Sequence, residues 1–411
     1  MRVVVTGMGA LAPNGNSVPK YWNSLISGKS GIDYITYFDT TDFPVKIAGE
    51  ISNFNPEDHF ERKEVRKLDP FSIYALVACN EAVQMAGLDS YSFDHNRAGV
   101  MIGCGIGGIN TLLHEHDVLN NSGARRISPF FVTKLIVNIA GGQIAIKWNL
   151  RGPNQTVVSA CASATDAIGM ALRAIQSGMA DIMIAGGTEA SICDLPLAGF
   201  SKIRALCNDA DPPQSASRPF DKDRSGFVMG EGSGMLVLET EEHALSRGAT
   251  ILGELAGYGA TNDAYHVTQP AEGGAGAVSA MRLAIEDAKA KPEDVHYINA
   301  HGTSTAFNDK NETYAIKTVF GNHAHKLKIS SSKSMTGHLL GASGGIEAIA
   351  GLKVLEEQVV PPTINYNSPD PECDLDYVPN TAQKETVDFV LSNTFGFGGH
   401  NAVIALRKWS S

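Results

Sequence analysis

Short apolar runs rich in β-branched residues alternate with longer stretches of helical period along the whole chain, the pattern of an α/β protein. Val3–Gly9 reads as a strand running into glycine and turn residues, and Ala98–Ile102 as the next strand. Between them, Tyr21–Ser27 and Pro70–Gly87 carry helical patterns. Val157–Ala160 is short, apolar and β-branched, and is predicted as a buried strand. From Ala162 to Gly178 the chain reads as an Ala-rich helix, apolar on nearly every face. Asp181–Ala185 and Met235–Glu239 are further strands. The pattern then restarts near Ile251 with a strand at Leu252–Gly257, an amphipathic helix at Ala277–Ala290 and a buried strand at Tyr297–Ala300. Gly337–Ala350 reads as a turn into a small-residue helix, paralleling the turn and helix that begin at Cys161. Val387–Leu391 is a late strand. Two related α/β halves, 1–250 and 251–411, packed helix to helix, are therefore expected, although no residue-level repeat is visible.

Composition narrows the class. With 411 residues, 43% hydrophobic, 19% charged and 42 glycines, the chain is globular with many tight turns. No apolar run is long enough to span a bilayer, so no membrane span is expected. A net charge of −11 argues against nucleic-acid binding. Six cysteines (79, 104, 161, 193, 207 and 373) lack paired spacing, as free thiols of a reducing compartment do. The first residues enter a strand without a signal peptide, and a cytoplasmic location is expected.

Three motifs invite readings that their context denies. Gly103-Cys104-Gly105-Ile106-Gly107-Gly108 matches a dinucleotide fingerprint, but no acidic residue closes the following strand where a ribose partner belongs, so a close-packed turn is expected. His114-Glu115-His116-Asp117 looks metal-like, yet i and i+2 point to different faces of a helix. Asp221-Lys222-Asp223-Arg224-Ser225-Gly226 begins like a calcium loop, but its twelfth position is Gly232 instead of Glu.

Candidate chemistry gathers at strand ends. Cys161 stands between a strand and a helix, where unpaired N–H groups and the helix dipole would favour a nucleophilic thiolate. His301 follows Tyr297–Ala300, His338 closes Ser330–Gly337, and Asn393-Thr394-Phe395-Gly396-Phe397-Gly398-Gly399 follows Val387–Leu391. A cysteine and two histidines at glycine-flanked strand ends are hard to read as packing.

These stretches resemble the β-ketoacyl-acyl-carrier-protein synthases of bacterial type II fatty-acid synthesis. The resemblance rests on Ser159-Ala160-Cys161, Ala300-His301-Gly302-Thr303-Ser304-Thr305, Lys333-Ser334-Met335-Thr336-Gly337-His338-Leu339-Leu340-Gly341-Ala342 and Asn393–Gly399. Ser217-Arg218-Pro219-Phe220-Asp221 and Gly226–Gly232 extend it over essentially the whole chain. It implies a thiolase-type fold: two similar halves, one carrying the nucleophile and the other both histidines, in a five-layered α/β/α/β/α core. It also implies a homodimer. The implied reaction is a decarboxylative condensation with the acyl chain held as a thioester on Cys161, and no cofactor is required. The N–H groups of Cys161 and Phe397 are then the oxyanion hole, His301 and His338 hydrogen-bond donors to the malonyl thioester, and Lys333 an electrostatic organiser. Thr303 and Thr305 hold the 4'-phosphopantetheine that enters on the carrier protein. Phe395 and Phe397 gate the pocket, while Ile106 and Phe200 line its acyl end. Asn299, Glu312, Glu347, Ser392 and Asn393 match a structural monovalent cation site.

Lys63, Arg66 and Lys67 fall on one face of a predicted helix, Arg125–Arg126 and Lys202 with Arg204 form two more basic pairs, and all three clusters are expected to steer an acidic acyl-carrier protein. Ala164, Asp166 and His400 depart from common family residues without touching the Cys–His–His set. A thiolase would use a second cysteine, but Cys373 lies in an Asp/Pro-rich loop unsuited to it. A coenzyme-A-dependent type III synthase would lack His338, and a non-catalytic chain-length subunit would lack Cys161. A discrete polyketide-type ketosynthase is the alternative reading.

Overall fold

The computed structural model describes residues 1–208 and 210–410. Ten strands form its central sheet. The first five are β1 (Val3–Leu11), β2 (Ala98–Gly103), β3 (Asn154–Val157), β4 (Ile182–Glu189) and β5 (Gly232–Thr240). The second five are β6 (Gly253–Asn262), β7 (Tyr297–Asn299), β8 (Lys328–Ser330), β9 (Phe389–Gly396) and β10 (His400–Arg407). They lie in the order β8-β7-β9-β10-β6-β1-β5-β4-β2-β3. Each set of five thus repeats one order, third-second-fourth-fifth-first. In each, the first three of that order are parallel and the last two antiparallel to their neighbours. The sets join where Val4 and Val5 of β1 pair with Glu254 and Gly253 of β6.

Five helices complete the layers: α1 (Pro70–Ala86), α2 (Ser163–Gln176), α3 (Ala275–Asp287), α4 (Ala306–Phe320) and α5 (Ser343–Glu357). α2 and α5 lie against each other between the two halves of the sheet, and their buried residues share one apolar core with β1, β5 and β9. α1 covers the outer face of the first half, and α3 with α4 that of the second. The result is the expected α/β/α/β/α arrangement. α2 and α5 are rich in small residues because sheet backbones approach them from both sides.

The outer layers show a repeat that the linear sequence hides. Gly7-Met8-Gly9-Ala10 on β1 and Gly257-Tyr258-Gly259-Ala260 on β6 occupy matching places. A Cβ at Gly7 or Gly9 would stand 2.1 or 1.8 Å from the carbonyls of Ala82 and Ala78 on α1; at Gly257 or Gly259 it would stand 2.3 or 2.2 Å from those of Ala284 and Ala280 on α3. Only glycine permits that contact.

One expectation is corrected. The segment Val157–Ala160 is not a buried strand: the strand is β3, Asn154–Val157, with exposed or half-buried residues, and Val158 beyond it is 55% exposed. The cause is its edge position, since β3 pairs with β2 alone. The 103–108 loop is a close-packed turn, with the N–H groups of Gly105 and Ile106 donating to buried Glu189 at 2.8 and 3.1 Å. His114, His116 and Asp117 are exposed, while Glu115 is buried and accepts the Ser128 N–H. Among the described residues, no cluster of His, Cys, Asp and Glu is arranged to hold a metal, and no helix is long and apolar enough to cross a membrane. Asp221 accepts the N–H groups of Asp223, Asn367 and Ser368, so its loop is closed by backbone. Among the described residues, no disulfide joins any of the six cysteines.

Candidate active site

Cys161 sits in a single 3-10 turn, Ala160–Ala162, that leads into α2. Ala160 holds φ +53°, a conformation uncommon for a residue with a side chain and one that marks functional turns. Leu340, in the matching turn before α5, holds φ +47°. The nucleophile turn is closed locally by Ser163 Oγ, which accepts the Ser159 N–H at 2.9 Å and donates to the Ala160 carbonyl at 2.6 Å. Asp166 ties it to the other half, accepting the Ser159 hydroxyl and, at 2.7 Å, the Tyr258 hydroxyl of β6.

The α5 end supplies the partner. His338 Nε2 lies 3.0 Å from Cys161 Sγ, and its Nδ1 lies 2.9 Å from Ser343 Oγ. His301 stands beside it, the two ring centroids 5.4 Å apart and the planes 84° to one another. Glu312 on α4 fixes the His301 turn by accepting the N–H groups of His301 and Gly302, both at 2.8 Å. Rings hold both histidines in place: Phe227 meets His338 edge-on at 5.2 Å, and Phe395 meets His301 at 5.8 Å. Lys333, only 2% exposed, forms a buried ion pair with Glu347 of α5.

Burial pushes the Cys161 thiol up to about 11, outweighing the opposing pull of the Phe397 N–H, the Lys333 charge and the N–H of Cys161 itself. The expectation of a thiolate set by the helix terminus is therefore overturned: desolvation is the larger effect. A neutral thiol needs a base, and His338 is in place for it. Burial, reinforced by the Lys333 charge, lowers both His338 and His301 well below the usual histidine range, and His338 adds to the effect on His301. Both imidazoles are neutral at physiological pH.

A cavity of about 390 Å³ opens onto this group. Of the residues singled out in the sequence, Cys161, His301, His338, Phe395, Phe397, Thr303, Thr305, Ile106, Phe200 and Arg204 line it. The Thr303 and Thr305 hydroxyls lie 3.0 Å apart. Lys333 does not line the cavity and acts from behind it. Lys63, Arg66, Lys67, Arg125, Arg126 and Lys202 are exposed outside it. The first cluster spans the helix Arg62–Val65 and its end, and Lys67 reaches over the Phe130 ring at 5.7 Å. Lys63 is paired with Glu61 at 2.7 Å. Asn299, Glu312, Glu347, Ser392 and Asn393 are buried together behind the site, with Ser392 opposite Asn299 across the β7–β9 ladder.

Sequence reasoning missed three residues. Glu189 ties the 105–106 wall to the Gly341 N–H, 3.1 Å away beyond His338; a lone Glu after two glycines carried no signal of that. Phe227 and Ser343 touch His338 through side chains that no local motif marks.

Comparison with known proteins gives the family. The family model described as "Beta-ketoacyl synthase, N-terminal domain" matches residues 1–244, and "Beta-ketoacyl synthase, C-terminal domain" matches 252–367. The chain belongs to the β-ketoacyl synthase family, with the thiolase-type fold. It is 52% identical over 411 residues (100% of this chain, 99% of the relative) to a protein of Staphylococcus aureus strain MRSA252 named 3-oxoacyl-[acyl-carrier-protein] synthase 2. It is 51% identical to a Synechocystis protein of the same name, over 99% of this chain and 98% of the relative. Among solved structures, a β-ketoacyl synthase from Burkholderia phymatum superposes with a TM-score of 0.92 at 33% identity, covering 100% of both chains. A type II polyketide ketosynthase in complex with its acyl-carrier protein superposes with a TM-score of 0.92 at 37% identity, covering 100% of this chain and 99% of that one.

Proposed function

We propose that this chain catalyses the elongation condensation of fatty-acid synthesis, joining malonyl-acyl-carrier protein to an acyl chain held on Cys161 and yielding a β-ketoacyl-carrier two carbons longer. The observation that carries it is the Cys161 sulfur 3.0 Å from His338 Nε2, with His301 alongside on one cavity. In the first half-reaction His338 Nε2 takes the thiol proton and Sγ attacks the thioester carbonyl. The N–H groups of Cys161 and Phe397 hold the oxyanion, the bond to pantetheine sulfur breaks, and the departing thiolate takes the proton. In the second, the malonyl thioester oxygen accepts from His301 and His338. CO₂ leaves, and the enolate carbon attacks the acyl thioester. Cys161 sulfur is expelled and reprotonated from water. Burial, with the Lys333 charge adding to it, keeps both imidazoles neutral, the form that can donate without being consumed.

Thr303 and Thr305 hold the pantetheine amides, Phe395 and Phe397 gate entry, and Ile106 with Phe200 contacts the acyl chain. Behind the site, Asn299 Oδ1, Asn393 Oδ1, Ser392 Oγ and Glu347 Oε2 are buried without protein partners. Asn299 Nδ2 is partnerless there as well, and the four oxygens fit a hard monovalent cation. These residues with Glu312 would hold it, and it would supply counter-charge alone. The unpaired edge of β3 and exposed Val158 beside it are the surface through which a second copy would complete a homodimer; sedimentation as a single chain would remove that. Cysteines held as thiols suit the cytoplasm.

Incubation with long-chain acyl-carrier protein and malonyl-carrier should release CO₂ and give the β-ketoacyl product by mass spectrometry. Turnover only with polyketide intermediates would favour the alternative substrate. The basic clusters make a separate prediction. Charge reversal at Lys63, Arg66 and Lys67 should raise KM for carrier-bound acyl groups several-fold with kcat unchanged, and added salt should erase the difference. An unaltered KM would mean that the carrier docks elsewhere.

A further inference from the structure

His338 has two jobs that need opposite protonation of one atom. To take the Cys161 proton, Nε2 must carry a lone pair; to donate to the malonyl thioester, Nε2 must carry hydrogen. What decides between the two tautomers of a neutral imidazole is the partner of the other nitrogen. A backbone carbonyl on Nδ1 would lock the first form, and a backbone N–H would lock the second. Here the partner is Ser343 Oγ, 2.9 Å away, and a hydroxyl can both accept and donate.

The matching residue in the other half shows that this contact is not a by-product of helix capping. Ser163 and Ser343 are each the first residue of a central helix, following a 3-10 turn entered at positive φ. Ser163 spends its hydroxyl on its own turn. The Ser343 hydroxyl turns to His338. Ser343 is 1% exposed and His338 2%, so water does not compete for the contact.

We propose that Ser343 is a positioning residue that lets His338 serve both half-reactions, accepting from Nδ1–H during acyl transfer and donating to Nδ1 during decarboxylation. This rests on the condensing activity proposed above. Protons balance at each stage. In acyl transfer the Cys161 proton passes through Nε2 to the departing thiolate, and His338 returns to its starting form. Between the half-reactions the Ser343 hydroxyl swings off Nδ1 and admits a water, which takes the Nδ1 proton while water of the open cavity supplies one at Nε2, with no change in charge. The serine hydroxyl then rotates to donate.

Three variants and two kinds of measurement test this. S343A should slow both Cys161 acylation and malonyl-carrier CO₂ release by roughly tenfold, the range for losing a partner that orients a reacting group, with KM for both carriers unchanged. S343T, which keeps the hydroxyl, should recover most of each rate. Nitrogen-15 shifts of His338 are read without substrate. The native protein should show Nδ1 and Nε2 values averaged between the two tautomers, and S343A the values of one tautomer. H338A supplies the spectral assignment by losing those signals. Native-like rates in S343A, loss of only one half-reaction, or identical nitrogen shifts in S343A and native protein would overturn the proposal. Failure of the native protein to release CO₂ or form product would instead sink the condensing activity, leaving the nitrogen shifts to judge Ser343 by themselves.

Discussion

Cys161→Ala is expected to make no β-ketoacyl product while folding as the native chain does. The substitution removes one sulfur from a turn held by Ser163 and Asp166, neither of which bonds to Sγ, so the turn should survive. Loss of the nucleophile should lower condensation by roughly a thousandfold or more, as removal of a covalent nucleophile does elsewhere. Intact-mass analysis should show an acyl adduct on the native protein and none on C161A. Decarboxylation of malonyl-carrier needs only the histidines and Lys333, so CO₂ release should persist in C161A. An acyl adduct on C161A would move the nucleophile to another residue. Because burial holds the thiol at about 11, a thiolate is scarce at neutral pH and His338 must take the proton. H338A should therefore slow alkylation of Cys161 by iodoacetamide at pH 7, and the gap should narrow as pH rises.

Lys333→Ala carries the second large expected effect, on stability and chemistry together. Lys333 and Glu347 are both almost wholly buried and paired. Removing one partner leaves the other charge stranded, a cost of roughly 3–5 kcal/mol. Adding Glu347→Gln should return much of that, because no charge then remains to be buried. Denaturant unfolding of the single and double variants would measure the difference, and equal stability of the two would mean that the pair is not coupled. The pH profile should also move. Lys333 depresses both histidines, so without it their pKa values rise towards the ordinary value. A group that must be neutral is then lost at higher pH as acid is added, and the acid limb of the rate profile should shift upward. An unmoved limb in a folded K333A protein would separate Lys333 from the histidines.

Much of this site was legible in the chain because its chemistry sits in short local motifs. Cys161 and His301 each stand just past a strand, and His301 and His338 each adjoin a glycine, where a side chain can meet a cavity. The two-part recurrence of strand, turn and buried helix was legible as well. What failed was finer. Val157–Ala160 looked buried because its residues are apolar, but burial depends on neighbours, and β3 has one on a single side. The thiol looked activated because it begins a helix, but the protein around it removes water, and that outweighs the helix end.

The linear sequence by itself determined the α/β alternation, the places of Cys161, His301 and His338 along it, and the glycines that let backbones touch. These are properties of residue type and local spacing. Tertiary structure alone decided that Gly7-Met8-Gly9-Ala10 and Gly257-Tyr258-Gly259-Ala260 are one motif used twice, since each is read against a different helix. It also decided that Glu189 braces the 105–106 turn, that Lys333 is paired with Glu347, and that Ser343 faces His338. The physical reason is common to all four. Electrostatic and hydrogen-bonding roles depend on which groups are brought within about 3 Å and cut off from water, and those distances exist only after the two halves close around α2 and α5.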